Sequence, residues 1–315
     1  MMILGIDTSN YTTSISLVDD KSIIFDERIL LSVKKNMRGL RQSEAFYQHV
    51  NNLPVLFERI PSEMLKNITA ICVSTRPRNV EGSYMPCFKA GVSFARVISS
   101  ILDVRLFETS HQEGHVMAGL HNNSINSDEF ISVHLSGGTT EILGVKLQGS
   151  EFVSEIYGGS IDISAGQFID RVGVMMGFDF PCGKQMDTVV LENVDMQRYE
   201  LPTSVKTYDI SFSGVETKCN NIFKNDNNQQ KMAISVFYNV AKSLSKAINN
   251  IYKDKKIEDV LFVGGVASSV YIKKVLRQLI TPNVKLHFAD AVLASDNAVG
   301  VAMIGNMKVR VENEK

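Results

Sequence analysis

Gly5-Ile6-Asp7-Thr8-Ser9, followed by Thr13-Ser14-Ile15, has a counterpart later in the chain, Leu135-Ser136-Gly137-Gly138-Thr139-Thr140-Glu141-Ile142. Each reads as an apolar strand, a turn of small polar residues and a returning strand. The two lie about 130 residues apart, close to the length of one domain, so the chain reads as two related halves. Gly, Ser and Thr at such turns let backbone N–H groups converge on an anion, where bulky side chains would block its approach. Taken singly, a turn of this kind serves equally well to close a hairpin. A third glycine turn, Phe262-Val263-Gly264-Gly265-Val266-Ala267-Ser268-Ser269, runs from a buried strand into a helix N-terminus. There the amides and the helix dipole favour anions and polar ligands.

Strands and helices alternate around these turns. Strands are expected over 2–7, 13–18 and 22–31, then a helix over 43–59 interrupted near Pro54. A strand over 68–74, a helix over 88–102 and a strand over 104–107 follow. In the second half, strands over 130–135 and 140–146 precede helices near 162–176 and 230–252. Strands over 260–263 and 285–288 and a last helix from Ser295 complete the order. Residues 1–128 are therefore expected as one domain and 129–294 as the second, with a C-terminal helix at about 295–315 packing back on the first.

Composition bounds the function. With 315 residues, 44% hydrophobic and 21% charged, the chain can build two well-packed cores. Its net charge of −1 gives no global attraction to nucleic acid, which would need a local basic patch or a partner protein. Lys34, Lys35, Arg38 and Arg41 form one basic cluster, Lys253, Lys255 and Lys256 another. Solvated surface charge accounts for either. Cys72, Cys87, Cys182 and Cys219 are scattered without a C-x-x-C pair, as reduced thiols are. The first residues have no basic start and no long apolar run, and no stretch approaches the roughly 20 apolar residues of a spanning helix. The expectation is a cytoplasmic protein with no membrane partner.

The chemistry is concentrated in Thr109-Ser110-His111-Gln112-Glu113-Gly114-His115. On a helix, positions i and i+4 share a face, so both imidazoles can reach one ion. In the zinc-protease motif His-Glu-x-x-His, the glutamate after the first histidine acts as general base. Here Gln112 holds that place, and Glu113 lies about 200° round the helix from His111, facing away from the ion. The motif reads as a metal site without protease machinery, on a helix capped by Ser110, although a lone His-x-x-x-His serves more often as a surface or packing pair. Near the end, Ala294-Ser295-Asp296-Asn297-Ala298 opens the last helix, where Ser295 or Asp296 can serve as N-cap.

Taken in order, nine motifs resemble those of the tRNA threonylcarbamoyladenosine transferases, once called glycoproteases, and the likeness runs nearly end to end. They begin with Ile3-Leu4-Gly5-Ile6-Asp7-Thr8-Ser9, then Gln48-His49-Val50 with Leu53-Pro54, the histidine helix and Leu135-Ser136-Gly137-Gly138-Thr139. Ser160-Ile161-Asp162 with Ala165-Gly166 and Asp170 follows, then Phe180-Pro181-Cys182-Gly183 and Ile210-Ser211-Phe212-Ser213-Gly214. Gly264-Gly265-Val266-Ala267 and Ser295-Asp296-Asn297-Ala298 close the series. The resemblance implies an actin-like α/β fold, like that of sugar kinases and heat-shock ATPases, with a ligand cleft between duplicated domains. It implies that His111, His115 and Asp296 bind one catalytic metal, iron or zinc. Leu135, Ser136, Gly137, Gly138, Thr139, Asp170, Gly183, Gly265 and Ser269 would bind an adenylate, threonylcarbamoyl-AMP or ATP or AMP. Asp170 would take the ribose hydroxyls, and Gly183 and Gly265 would lie against the nucleoside. The implied reaction moves the threonylcarbamoyl group to N6 of the adenine beside the tRNA anticodon. The implied partners are tRNA, a homologous non-catalytic subunit, a small ATPase or a second copy of the chain. The helices near 43–59 and 88–102 are the implied partner interface.

Several positions depart from the family pattern. Asn10-Tyr11-Thr12-Thr13 stands where Cys-Asp-Glu-Thr is usual, and Ser110 replaces the first residue of a His-His pair. Ile163 replaces an acid, Gln167 a glutamate, Glu216 a lysine and Ser269 an asparagine, and the usual Gly-Pro-Gly loop becomes Thr75-Arg76-Pro77-Arg78-Asn79-Val80-Glu81-Gly82. The chain reads as a divergent member. Transfer to tRNA, a carbamoyl-type transfer to another acceptor, and a non-catalytic partner subunit remain open as readings. The retained metal triad argues against the last.

Overall fold

The computed structural model describes residues 1–9, 11–20, 22–33 and 40–314. They divide into two compact units, Met1–Asn122 with Leu147–Phe152 and Val292–Lys315, and Asn123–Lys146 with Val153–Ala291.

In the first unit β1 (Met2–Asp7), β2 (Thr12–Asp19) and β3 (Ser22–Leu30) form an antiparallel meander. After α1 (Gln42–Glu58) and the short α2 (Ser62–Leu65), β4 (Ile68–Arg76) pairs parallel with β1. Helix α3 (Phe88–Leu102) leads to β5 (Arg105–Ser110), parallel to β4, and α4 (His111–Leu120) follows at once. The sheet order is β3-β2-β1-β4-β5. The central strands are apolar on both sides because helices cover both faces. Leu4, Ile6, Ile71 and Val73 pack with Leu53 and Leu56 of α1 and Ala90 and Ala95 of α3. Ile3, Val18 and Ala70 pack instead with Ala118 of α4 and with Val299, Ala302 and Met303 of the C-terminal helix, Val299–Asn313. The sequence predicts a break near Pro54, but α1 runs through it. Proline in a helix interior forfeits one hydrogen bond, and burial of His49, Leu53 and Leu56 along one face holds the helix regardless. The outer faces of α1 and α3 leave Tyr47, Val97 and Ile101 exposed.

The second unit begins with β6 (Glu129–Leu135) and most of β7 (Thr140–Gln148) and β8 (Glu151–Gly159), whose connecting ends are the Leu147–Phe152 segment. Helices α5 (Ala165–Met175) and α6 (Gly183–Glu192) follow, then a two-stranded ribbon of β9 (Ser204–Lys206) and β10 (Asp209–Ser211). Next come α7 (Ser213–Phe223) and α8 (Gln229–Lys255), whose buried side runs through the core of the unit. Strand β11 (Asp259–Val263), a 3-10 turn over Gly265–Ser268, α9 (Val270–Leu279) and β12 (Lys285–Phe288) complete it. The sheet order is β12-β11-β6-β7-β8, with β7 antiparallel to β6 and β11 and β12 parallel to it. Counted from each unit's first strand, both sheets have the order third-second-first-fourth-fifth. The β1–β2 and β6–β7 hairpins, marked by the repeated sequence, therefore hold equivalent places.

Strand β8 and helices α6 and α7 are absent from the sequence expectation for physical reasons. Strand β8 is a sheet edge with Val153 and Ile156 exposed, so its apolar residues do not alternate cleanly. Neither α6 nor α7 begins with a side-chain cap, which removes the usual start signal. The last helix starts at Val299 and not at Ser295, because Asn297 organises the preceding loop. Its amide donates to the carbonyls of Leu293 at 2.8 Å and Ser295 at 2.7 Å, and its carbonyl accepts from Val299 N–H at 3.0 Å. Among the described residues no helix is long and apolar enough to cross a membrane.

Candidate metal centre and glycine loops

Strand β5 ends where α4 begins, and a reciprocal cap fixes the junction. Ser110 Oγ accepts from Glu113 N–H at 3.2 Å while Ser110 N–H donates to Glu113 Oε2 at 2.7 Å. Glu113 is thus occupied on the side away from the imidazoles, as its place on the helix predicts. The first turn of α4 projects His111 and His115 together, with their Nε2 atoms 3.0 Å apart. Asp296 Oδ1 lies 3.2 Å from His115 Nε2 and 3.5 Å from His111 Nε2. A tetrahedral ion with bonds of about 2.0–2.1 Å separates its ligands by about 3.3 Å. The three donors have the spacing one ion requires, and they form the cluster that could hold one among the described residues.

Close packing of two helices brings Asp296 to this place. A Cβ on Gly300 of the C-terminal helix would overlap the carbonyl oxygen of Gly114 in α4, and one on Gly5 of β1 would overlap that of Ala298. Neither overlap can be relieved by a rotamer change, because the obstructing atoms are backbone. Asp296 itself belongs to no helix, so Ser295 and Asp296 do not act as N-caps.

The sequence reading missed Asp7 as part of the site. At the end of β1 and fully buried, Asp7 accepts from His111 Nδ1 at 2.9 Å, from Ser9 Oγ at 2.7 Å and from Ser74 Oγ. This carboxylate–imidazole contact holds His111 in the tautomer that presents Nε2. Burial pushes the Asp7 carboxyl up, but the His111 ring and the two hydroxyls outweigh it and leave it below the usual carboxylate range. Burial likewise works against a charged His111, yet the carboxylates of Asp7 and Asp296 prevail and raise its pKa to about 10. Asp296 is opposed by burial too and is held well below the usual range by the two rings. A buried acid at the end of a strand, directly before a turn of small polar residues, was the available signal. Only the fold reveals which histidine it faces.

The other candidates lie in the second unit. The turn after β6 is closed by Ser136 N–H to Thr139 O at 2.9 Å and Thr139 N–H to Ser136 Oγ at 3.1 Å. Gly137 and Gly138 have open space where a Cβ would stand. Leu135 is buried, so it offers only backbone there. Gly264 approaches the Leu135 carbonyl with φ of 96°, which glycine adopts without strain, and Gly265 follows in the 3-10 turn. Helix α5 abuts the same turn, with Ser164 Oγ donating to Gly137 O at 2.8 Å and Gly166 packed directly on it.

Asp170 and Gly183 come together at the start of α6, where Asp170 Oδ1 accepts from Cys182 N–H at 2.7 Å. Burial raises the Asp170 carboxyl, against the lowering effect of the Cys182 and Gly183 amides. One turn into α6, Asp187 accepts from Ser269 Oγ at 2.5 Å, and Ser269 also caps α9. Asp187, Ser164 and Gly166 were not picked out as site residues. The spacing of Asp187, four residues after Gly183 on one helix, was the overlooked cue.

All four cysteines are buried. Asn10 and the basic Lys34, Lys35 and Arg38 lie outside the described residues. Arg41 immediately precedes α1, and Arg76 and Arg78 lie at and beyond the end of β4. Lys255 sits over the Tyr157 ring at 4.1 Å and Lys256 over Tyr252 at 5.6 Å.

The paired sheets define an actin-like class of protein. A full-length HypF in its phosphate- and nucleotide-bound form superposes with a TM-score of 0.63 at 13% identity, covering 98% of this chain and 46% of that one. A ROK-family glucokinase from Streptomyces griseus gives 0.53 at 10% identity, covering 96% and 99%. These likenesses concern the fold alone. In sequence, residues 27–303 match the model of the family described as tRNA N6-adenosine threonylcarbamoyltransferase. Proteins of that name are 28% identical over 317 residues in Thermosipho africanus, covering 97% of this chain and 93% of the relative. The one from Archaeoglobus fulgidus is 26% identical over 308 residues, covering 97% and 90%. The chain belongs to this family of transferases.

Proposed function

We propose that the chain is a metal-dependent transferase that moves the threonylcarbamoyl group of threonylcarbamoyl-AMP to N6 of the adenine beside the tRNA anticodon. The observation that carries this reading is the convergence of His111, His115 and Asp296 at distances of 3.0–3.5 Å in a chain of this family. Two imidazoles and one carboxylate suit iron and zinc alike and leave coordination positions for a ligand. The bound ion would supply Lewis-acid stabilisation of charge on phosphate or carbamoyl oxygens.

The chain's own residues do the rest. Asp7 orients His111. Amides of the Ser136-Gly137-Gly138-Thr139 turn, with the Leu135 backbone, would take the phosphate. Asp170 would accept ribose hydroxyls, Gly183 and Gly265 would lie against the nucleoside, and Ser269, tied to Asp187, would face it from α9. The exocyclic amine attacks the carbamoyl carbon, the bond from that carbon to the AMP phosphate oxygen breaks, and AMP leaves with the electron pair. The amine's surplus proton passes to solvent. Positioning a poor nucleophile and stabilising the developing charge supply the rate, with no covalent enzyme intermediate.

The basic cluster Lys34, Lys35, Arg38 and Arg41, with Arg76 and Arg78, is the proposed path for tRNA phosphates. The exposed Tyr47, Val97 and Ile101 of α1 and α3 suit a protein partner, either a homologous non-catalytic subunit or a second copy, with a small ATPase acting alongside. The proposed setting is the cytoplasm. The test is transfer of labelled threonine to tRNA through an adenylate-forming enzyme, with wild type and His115→Ala. Label that disappears with His115→Ala supports the reading. Unlabelled tRNA, with adenylate and metal bound, would overturn tRNA as acceptor and favour a carbamoyl-type transfer elsewhere.

A further inference from the structure

Arg28 lies outside every motif in the sequence, yet the sheet sets it beside the metal ligands. In the ladder of β1, β2 and β3, Asp7 is opposite Ser14 and Ser14 is opposite Arg28. Directly opposed residues project from the same face of an antiparallel pair. Asp7 and Arg28 therefore rise from one cross-strand row, two strands apart. From that row Asp7 reaches His111 Nδ1 at 2.9 Å. Arg28 Nη1 donates to the Val292 carbonyl at 3.1 Å and to Ser295 Oγ at 2.9 Å. Its Nη2 is held by Asp26 Oδ2 at 2.5 Å, which fixes the plane of the guanidinium.

Val292 and Ser295 belong to the segment that delivers Asp296. Asp296 lies between the short helix Ala291–Ala294 and the C-terminal helix, outside the hydrogen-bond ladder of either. Its placement depends on anchors to each side. Asn297 is the anchor after it, through Leu293, Ser295 and Val299. Arg28 is the anchor before it. We propose that Arg28 is a positioning residue that sets Asp296 at the distance from His111 and His115 that metal binding needs. It touches neither substrate nor ion; it acts by tethering the ligand loop to the sheet row that also carries the support for His111. One side chain meets two acceptors and a carboxylate with a rigid fork, a geometry that lysine's single nitrogen does not reproduce. The inference rests on the metal reading given above.

The test is zinc affinity of the full chain, measured by competition with a chromophoric chelator and accompanied by thermal unfolding. Arg28→Met is expected to weaken zinc by about 10- to 100-fold, the usual cost of losing support behind a metal ligand. Arg28→Lys should fall between it and the wild type. Ser295→Ala removes one of the two acceptors with little risk to folding and should weaken zinc by less. Arg105→Met, which cuts an exposed ion pair to Glu312 of the C-terminal helix, should leave zinc unchanged. Unaltered zinc affinity in Arg28→Met and Ser295→Ala would overturn the proposal. Should Arg28→Met fail to fold, Arg28→Lys and Ser295→Ala decide by the same criterion. Zinc affinity that survives His115→Ala unchanged would overturn the metal reading and this inference together. Failure of the Arg28 variants alone would overturn only the inference.

Discussion

Replacing Gly300 with alanine puts the packing beneath His111, His115 and Asp296 to a direct test. The added Cβ would overlap the Gly114 carbonyl oxygen and stand 2.8 Å from both the Gly114 carbonyl carbon and Ala118 N. Two effects oppose each other. Alanine is favoured over glycine inside a helix by about 1 kcal/mol. Overpacking costs roughly 1–3 kcal/mol, and a clash with backbone on a neighbouring helix belongs at the upper end because no side chain can turn aside. Setting ~3 against ~1 leaves a net loss of about 2 kcal/mol, or roughly 4–8 °C in Tm. Relief requires α4 and the C-terminal helix to part by about 1.5 Å, since non-bonded heavy atoms settle near 3.5 Å. The 3.2 Å between His115 Nε2 and Asp296 Oδ1 would then approach ~4.7 Å, beyond what a tetrahedral ion spans. Stability and zinc affinity should fall together, as read by thermal unfolding in chelator and by chelator competition. A Gly300→Ala protein as stable as the wild type would show that helix propensity outweighs the contact, and the reasoning would be refuted.

Further outcomes follow from the same geometry. Asp7→Asn should weaken zinc binding by about 10- to 100-fold, since the amide no longer serves as acceptor for His111, Ser9 and Ser74 together; unchanged affinity by chelator competition would count against the role given to Asp7. Gly166→Ala would place a Cβ 2.5 Å from the Ser136 carbonyl oxygen and 2.6 Å from Gly137 Cα, so AMP binding measured by calorimetry should drop while zinc binding holds. Asp162 accepts from the hydroxyls of Ser211 and Ser213 and the amides of Phe212 and Ile163. Burial raises its carboxyl, but these donors outweigh it and hold it below the usual 3.8. A depressed folded-state value means that its contribution to stability is present above the ordinary carboxylate range and is lost as pH falls through the folded value. Asp162→Asn should therefore flatten the acid limb of stability against pH below about 4, and an acid limb identical to the wild type would exclude Asp162 as its source.

The parts of the site legible in sequence are those carried by contiguous residues. The β1–β2 and β6–β7 turns announce themselves by repetition, and His111 and His115 need only the period of a helix. Asp296 is recognisable from its motif, although its loop was read as a helix start because the role of Asn297 depends on three backbone partners that only the fold supplies. Asp7 and Arg28 were illegible as supports for another reason. Their shared face follows from strand register through Ser14, and Arg28 meets Ser295 across 267 residues of chain. No local spacing encodes that.

The departures from the family pattern divide once each side chain's partners are known. Gln167 closes the cap of α5, with Ser164 N–H donating to its side-chain oxygen at 3.2 Å; an amide oxygen accepts there as a carboxylate would. Ile163 is buried in the core of the second unit, where an ionised acid would be left without water. Glu216 pairs with Arg171 at 3.3 Å, so that reversal of charge is matched by a neighbour. Ser269 caps α9 and binds Asp187. Each of these substitutions is accommodated by its surroundings, and none involves His111, His115, Asp296 or Asp7. Thr12 is buried at the start of β2, which leaves the adjacent Tyr11, half-buried, as the place where an expected acid has given way to a phenol. Tyr11 thus stands beside the β1–β2 turn, close in sequence to Asp7, the acid that contacts His111.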